Sequence, residues 1–182
     1  DYGSLMGTQL TLKNGKPSKG DIVLVLKADK ALGQEGYRIS IGDVTTVSAA
    51  TVKGLKWGTR TVLQMAEQNK SNGGTLPKGN IVDSPEYGLR GFMMDCGRKF
   101  IPMDYLRSLV KTMAYYKMNT LQIHLNDNGF RQFFDGDWDK TQAAFRLECD
   151  TYPGLTARDG SYTKQEFIDL QKLAEQYGVN II

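Results

Sequence analysis

Residues 88–98 read GLRGFMMDCGR and residues 113–125 read MAYYKMNTLQIHL, and these two stretches decide the fold. The first is an apolar run that ends in a carboxylate, Asp95. The second is the end of an amphipathic helix, followed at 119–125 by another apolar run. Strand, helix and strand in this order predict a parallel β-sheet with helices packed against it.

The same alternation continues downstream. A long polar and aromatic loop is predicted at 126–162. The residues Thr-Lys-Gln-Glu at 163–166 form a capping box, which predicts that a third helical pattern begins there. Residues 179–182 are again apolar and predict the start of a third strand.

The first part of the chain has a different pattern. Residues 36–41 alternate with period two and are followed by a Gly-Asp turn signal and a return strand at 44–49, with a further strand at 21–27. Apolar residues then recur at helical spacing over 51–68. The Gly-, Ser- and Asn-rich stretch 69–79 predicts a loop and a domain boundary.

Composition excludes several classes of protein. With 182 residues, 40% hydrophobic and 24% charged, the chain is typical of a folded protein. The net charge of +3 is scattered, so no nucleic-acid footprint is present, and no apolar run is long enough for a bilayer. Cys96 and Cys149 lack CxxC spacing, which favours two buried free thiols over a zinc site or a disulfide scaffold.

Polar side chains stand where the predicted strands end, and such ends carry the active sites of barrel enzymes. Asp95 ends the first strand and Arg98 follows it, while His124 lies in the second strand and Asp127 follows that one. Residue types alone leave simpler interpretations open. Asp95 and Arg98 could pair only with each other to tie down a loop, and His124 could be an interior residue. Residues 127–129 could form an ordinary turn.

The combined motifs resemble family 20 of the glycoside hydrolases, the β-N-acetylhexosaminidases. The resemblance rests on several motifs. The stretch 90–100 begins with Arg-Gly and ends with Asp-x-x-Arg-Lys-aromatic, Lys-x-Asn leads into the next strand, and His-x-x-Asp stands at 124–127. The family continues with Trp-Arg-x-Glu and an aromatic-Pro-x-Leu. This chain has Phe-Arg-Leu-Glu at 145–148 and Tyr-Pro-Gly-Leu at 152–155, so we interpret 131–144 as an insertion. Asn128 replaces the family's usual second Asp.

The resemblance implies a fold and an activity. It implies an α/β fold in which a small α+β domain, 1–86, precedes the first portion of an incomplete (β/α)8 TIM barrel, 87–182. It implies part of a retaining exo-β-N-acetylhexosaminidase that removes terminal β-linked GlcNAc or GalNAc by substrate-assisted catalysis. The alternatives are a lacto-N-biosidase-type member or a non-catalytic carbohydrate-binding module. The family's catalytic Asp-Glu pair lies on the fourth barrel strand, so we expect no catalytic residue here and no activity from this chain alone.

The resemblance also implies roles for individual residues. Arg90 is expected to grip ring hydroxyls, while His124 and Asp127 line the sugar pocket and Glu148 is a further substrate-binding residue. Asp95 and Arg98 are expected to support the site. No metal or cofactor is expected, because the substrate supplies the nucleophile. The expected partner is a glycan with a terminal N-acetylhexosamine. Nucleic acid is not expected, an open barrel edge favours self-association, and the family favours a periplasmic, secreted or lysosomal location.

Overall fold

The computed structural model describes residues 1–127, 132, 135–136 and 145–182. The predicted insertion at 131–144 lies outside the described residues except at three positions, and the Asn128 substitution lies outside them as well. The chain forms two compact units, Asp1–Gly88 and Leu89–Ile182.

The first unit is a mixed four-stranded sheet covered by one long helix. Its elements are α1 (Tyr2–Met6), β1 (Ile22–Leu26), β2 (Tyr37–Ile41), β3 (Thr45–Ala49), α2 (Val52–Gln68) and β4 (Gly79–Asp83). The strand order is β1-β3-β2-β4, with β1 parallel to β3 and the other two pairings antiparallel. The strands and the helix predicted between 21 and 68 are confirmed.

Alternation along β2 explains how this unit builds its core. Tyr37, Ile39 and Ile41 are buried, while the two residues between them are exposed. The buried face packs against α2, where a Cβ at Gly58 would overlap Val47, so the helix can lie close to the sheet. Thr51 caps the helix by accepting a hydrogen bond from the Gly54 N–H at 3.0 Å.

The loop predicted at 69–79 does not separate the two units, which divide between Gly88 and Leu89. β4 begins at the end of that loop and pairs with β2 from Tyr37↔Asp83 to Ile41↔Gly79, so the loop lies inside the first unit. The sequence did not predict β4, because its residues, GNIVD, include only two apolar side chains and do not alternate between apolar and polar types. An edge strand that is largely exposed to solvent can form without many apolar residues and without apolar–polar alternation.

The second unit is a parallel sheet with two helices. Its elements are β5 (Gly91–Asp95), α3 (Met103–Tyr115), β6 (Thr120–His124), α4 (Lys164–Tyr177) and β7 (Asn180–Ile181). The order is β5-β6-β7, as the alternating pattern predicts. The core combines both helices and the sheet, and its most buried members include Leu106, Val110, Met113, Leu121, Leu170 and Val179. The predicted capping box is present, with Thr163 and Glu166 each bonding the other's backbone N–H.

The register of the parallel pair determines where polar groups meet. Gly91 pairs with Thr120 at the amino end, and Asp95 pairs with His124 at the carboxyl end. The two strand ends named by the sequence therefore lie side by side at one edge of the sheet. Within the described residues, no helix is both long enough and apolar enough to cross a lipid bilayer.

Both cysteines are free thiols, but they differ in burial. Cys96 is fully buried, whereas Cys149 is partly exposed, so the prediction of two buried thiols is wrong for Cys149. Cys149 belongs to the loop that precedes α4, where its backbone N–H donates to the Thr156 hydroxyl at 3.0 Å. Cys96 follows β5 directly and packs into the core.

Candidate functional site

The turns that follow β5 and β6 are in direct contact at the carboxyl edge. The backbone N–H groups of Cys96 and Gly97 both donate to the carbonyl of His124, at 3.0 and 2.8 Å. A Cβ on Gly97 would come within 2.9 Å of the Asp127 nitrogen and 3.0 Å of the Asn126 carbonyl carbon. Backbone atoms cannot move aside as a flexible side chain can, so glycine is required for this approach.

Four charged or titratable side chains, those of Asp95, Arg98, Asp127 and His124, form a cluster whose members are linked by hydrogen bonds and ion pairs across these turns. The Asp95 carboxylate accepts from the Arg98 backbone N–H at 3.0 Å and from its Nη1 at 2.7 Å. The Nη2 of Arg98 lies 2.7 Å from Oδ2 of Asp127, and the same oxygen lies 2.7 Å from Nε2 of His124. The simple pairing of Asp95 with Arg98 is thus present, and it is one part of a larger cluster.

The electrostatics of the cluster follow from these bonds. Two carboxylates face one guanidinium, so the group carries one net negative charge when His124 is neutral. An ionised carboxylate only accepts hydrogen bonds, so the Nε2 of His124 carries the hydrogen of its bond to Asp127. Partial burial raises the pKa of Asp95, but the hydrogen bonds from Arg98 outweigh it and hold that pKa below its usual range. Asp95 is therefore ionised at neutral pH.

The cluster is partly open to solvent. The side chains of Asp95, Arg98, Asp127 and His124 retain 24–36% of their exposure. Ion pairs at such exposure contribute little to the free energy of folding. Carboxylates accept from hydroxyl groups and guanidinium donates to them, which makes a polyhydroxylated ligand chemically compatible with this edge.

Arg146 is a site residue that the sequence reasoning did not single out. Its side chain is fully buried, and it donates from Nε to the Cys96 carbonyl at 2.7 Å and from Nη2 to the Gly97 carbonyl at 3.1 Å. It also forms a bidentate pair with Asp159 and donates to the Gly160 carbonyl at 2.9 Å. Its membership of the Phe-Arg-Leu-Glu motif was the available signal, but nothing in that motif indicates burial.

The side chain of Glu148 contacts the beginning of α4 from the loop that precedes this helix. Its Oε2 accepts from the Lys164 backbone N–H at 3.1 Å, and its own N–H donates to the Tyr162 carbonyl at 2.9 Å. A carboxylate is favourable at a helix N-terminus because the first N–H groups there lack helical partners. In the described part of the chain, no hydrogen bond or ion pair joins Glu148 to the four-residue cluster.

Arg90 lies at the opposite end of the sheet from the cluster. It precedes β5, its backbone N–H donates to Oδ1 of Asn119 at 2.9 Å, and its Nε donates to the Lys117 carbonyl at 2.7 Å. Asn119 is 4% exposed, and it returns a bond from its own N–H to the Arg90 carbonyl. The structure brings together Asp95, Arg98, His124 and Asp127, and does not bring Arg90 to them.

Two other reactive groups near the edge have environments that suppress their chemistry. Burial raises the pKa of the Cys96 thiol, which keeps it protonated and poorly nucleophilic. Burial also raises the pKa of Tyr162, whose hydroxyl donates to the Ile101 carbonyl at 2.6 Å. Among the residues that the structure describes, no group of three His, Cys, Asp or Glu side chains is arranged to hold a metal ion.

Comparison with known proteins identifies relatives of both units. The family model described as "Glycosyl hydrolase family 20, catalytic domain" matches residues 87–182, and the model of domain 2 of the same family matches residues 1–84. The chain is 37% identical over 153 residues to a beta-hexosaminidase of Akkermansia muciniphila, covering 83% of the chain and 31% of that relative. A beta-hexosaminidase of Vibrio furnissii is 28% identical over 174 residues, covering 90% of the chain and 28% of the relative.

Solved structures give the same result. A mutant Streptomyces plicatus beta-hexosaminidase in complex with its product, GlcNAc, superposes with a TM-score of 0.79 at 25% identity. This match covers 100% of the chain and 37% of that structure. The Streptomyces coelicolor β-N-acetylhexosaminidase superposes with a TM-score of 0.77 at 25% identity, again covering 100% and 37%. The chain therefore spans about a third of the length of these relatives.

Proposed function

The chain belongs to glycosyl hydrolase family 20, and on this premise we propose that the whole protein containing it is a retaining exo-β-N-acetylhexosaminidase. It removes terminal β-linked GlcNAc or GalNAc from glycans. The observation that carries the proposal is the match of residues 87–182 to the catalytic domain of the family. The cluster of charged side chains at the carboxyl edge of the sheet supports it, because barrel enzymes bind substrate at that edge.

The family resemblance supplies the reaction. The acetamido oxygen of the sugar attacks its own anomeric carbon, a Glu protonates the departing oxygen, and the preceding Asp orients the acetamido group. This pair stands on the fourth barrel strand, whereas the second unit described above contains three parallel strands. Residues 1–86 are, in this proposal, the domain that precedes the barrel, and 87–182 are the opening part of the barrel.

The residues of this chain bind the sugar and position the catalytic acid. We assign the sugar-facing role to Asp127 and His124, which share one bond at 2.7 Å. Arg98 holds Asp127 from the other side, and Asp95 holds Arg98 through two hydrogen bonds. Because each of the four side chains has a partner within the cluster, the carboxylate of Asp127 is oriented before substrate arrives. Preorganised polar groups of this kind lose little free energy when they bind a transition state.

Arg90 and Glu148 complete the proposed binding set from greater distances. One carboxylate oxygen of Glu148 is held by the Lys164 N–H, and we assign the other to the substrate. The five residues of β5 rise roughly 13 Å. The proposed partner is a glycan with a terminal N-acetylhexosamine. The chain on its own would also associate with itself, because Phe92 and Met93 on the edge strand β5 are 44% and 53% exposed.

The decisive experiment compares two aryl glycosides with the purified whole protein. It should release aglycone from an aryl N-acetyl-β-glucosaminide and none above blank from the matched aryl β-glucoside, which lacks the acetamido nucleophile. Equal rates on the two substrates would exclude substrate assistance. Binding of GlcNAc with no turnover of either substrate would favour the non-catalytic carbohydrate-binding module.

A further inference from the structure

Every donor of the Arg146 guanidinium has an acceptor. An arginine side chain has five N–H donors in a planar fork. Here they reach the carbonyls of Cys96, Gly97 and Gly160 and both carboxylate oxygens of Asp159. The side chain is 0% exposed, and the ring of Phe100 lies 6.0 Å from its central carbon. A buried guanidinium with all its donors bound defines the position of every group that it contacts.

The groups contacted by Arg146 belong to three separate segments. Cys96 and Gly97 form the turn after β5, while Asp159 and Gly160 lie shortly before α4. The backbone of Arg146 joins the third segment, because its N–H donates to the Leu125 carbonyl just after β6 at 3.0 Å. Its carbonyl accepts from the Tyr162 N–H at 2.7 Å. Two of these segments, the turn after β5 and the residues after β6, include or adjoin the four residues of the cluster.

We propose that Arg146 and Asp159 are a positioning pair that holds the turn after β5 against the segment after β6, so that Arg98 and His124 share Asp127. Arg98 immediately follows Gly97, whose carbonyl Arg146 binds. Asp127 is two residues beyond Leu125, whose carbonyl binds the Arg146 N–H. The significance of the pair for catalysis rests on the proposed function, whereas the pair's effect on the cluster rests on geometry alone.

Stability is a weaker explanation of this arrangement. Removing a guanidinium from water is costly, and an apolar residue of similar volume often serves a folded core as well or better. What an apolar residue cannot do is bind three carbonyls and a carboxylate in one plane. A lysine at this position would keep the charge but has only three donors, so at least two of the five acceptors would lose their bond.

The test uses the fact that His124 is the only histidine in the chain. In the 15N-labelled chain, the Nε2–H signal of the imidazole reports its bond to Asp127 without ambiguity of assignment. We expect Arg146→Lys to accelerate hydrogen exchange at His124 Nε2 and at the Gly97 amide by about tenfold or more. The amides of Leu106 and Val110 in α3 should keep their protection within about twofold, because local opening does not unfold the core.

Two further variants make the outcome decisive. Asp159→Asn keeps the shape of the side chain and one acceptor but removes the charge. It should also accelerate hydrogen exchange at His124 Nε2 and at the Gly97 amide. Arg158→Lys changes an exposed neighbour of Asp159 and should leave these exchange rates unchanged. Unchanged signals in Arg146→Lys, or equal loss of protection in α3 and in the turn, would overturn the proposal. If Arg146→Lys does not fold, the exchange rates of Asp159→Asn test the proposal instead. Unfolding of both variants would show that the pair has a purely structural role.

The readout is independent of hydrolysis. If the whole protein is inactive on both aryl glycosides and the His124 signal still responds to Arg146→Lys, then the proposed function fails and the positioning pair stands. If the whole protein is active, Arg146→Lys should lower kcat more than it raises KM, because the displaced cluster no longer positions the catalytic acid, whereas Arg90 and Glu148 still bind the sugar. Wild-type kcat in that variant would show that the pair does not position the site.

Discussion

The amino and carboxyl ends of the three-stranded sheet hold their polar side chains in opposite ways. At the amino end, the Arg90 N–H bonds the buried Asn119 side chain, and the Arg90 Nε bonds a backbone carbonyl. At the carboxyl end, charged groups bond other charged groups and remain partly open to solvent. The polar groups of Arg90 are committed to bonds with Asn119 and the backbone, whereas the charged groups of the cluster are committed to one another and can exchange a partner for a ligand.

The difference has a simple structural origin. Strands enter a parallel sheet from tight helix–strand turns, such as the one at Lys117, which adopts a left-handed φ of 58°. Backbone groups in such turns need side-chain partners. Strands leave the sheet into longer loops, whose side chains are free to converge on one another. The same sheet therefore has one end whose polar side chains bond the backbone and another end whose charged side chains bond one another.

The largest expected effect is complete absence of activity in the 182-residue chain alone. General acid catalysis needs a protonated group within about 2.6–3.2 Å of the leaving oxygen. The lowered pKa of Asp95 keeps that carboxyl ionised, so it cannot serve as the acid. The assay is release of a chromogenic aglycone from an aryl N-acetyl-β-glucosaminide. Turnover above blank that disappears in Asp127→Asn would place the chemistry inside this chain.

The next largest effect tests the carboxyl end in the whole protein. Asp127→Asn removes the charge shared by Arg98 and His124, and we expect kcat/KM to fall about 100-fold. The urea midpoint should move little, because Asp127 and its partners are partly exposed. Asp104→Asn is the matched control, since this carboxylate pairs with Arg107 on α3 and is 91% exposed. Equal losses in the two variants would remove the distinction between the two ends.

Arg90→Lys is the variant that could contradict the contrast between the amino and carboxyl ends of the sheet. If Arg90 grips a sugar, the point charge of lysine cannot reproduce its two-pronged contact, and kcat/KM should fall about tenfold with a raised KM. Steady-state kinetics of the whole protein measure this effect, with circular dichroism to confirm folding. Wild-type kinetics together with a lowered urea midpoint would assign Arg90 a structural role alone.

A smaller effect, on stability, is expected at the amino end. Asn119→Ala leaves the Arg90 N–H without its acceptor in a buried position, which should lower the free energy of unfolding by about 1–3 kcal/mol. Urea denaturation measures the difference. Gln122→Ala, at an exposed position of β6, the strand that Asn119 directly precedes, controls for the loss of a polar side chain. A loss no greater in Asn119→Ala than in Gln122→Ala would contradict the structural role.

The smallest effect is a pH dependence at the carboxyl end. The folded-state pKa of Asp95 lies below its unfolded value, so its contribution to stability is present above about pH 4. The contribution is lost as the pH falls through the lower folded-state value. Urea denaturation of the wild type and Asp95→Asn should therefore show a constant difference from pH 7 to pH 5 that shrinks below pH 4. A difference that grows on acidification has the wrong sign.

Several features of the site were accessible to sequence reasoning. Asp95 and His124 were placed at strand ends, and the parallel pairing puts them side by side at Asp95↔His124. The separation of Arg90 from Asp95 could also have been inferred, because five residues of extended chain span most of a strand. The pairing of Arg98 with Asp127, 29 positions apart, could not, because it depends on the register of two strands and the shape of two turns.

Arg146 and β4 mark the limit of inference from local patterns. Burial of an arginine has no signature in the residues beside it, since it depends on carbonyls contributed by Cys96, Gly97 and Gly160. β4 carries no alternation of residue type, and its place in the sheet depends on its pairing with β2, about 40 residues earlier in the chain. In both cases the deciding partners lie far away in the sequence.

The sequence by itself determined the order of strands and helices in the second unit, the capped start of α4 and the four polar residues at the strand ends. These are consequences of periodicity and capping, which act over a few consecutive residues. Only the tertiary structure decided that Arg98 links Asp95 to Asp127, that Arg146 is buried among the loops, and that β4 completes the first sheet. Those outcomes depend on which distant segments meet, and strand register and loop closure set that choice.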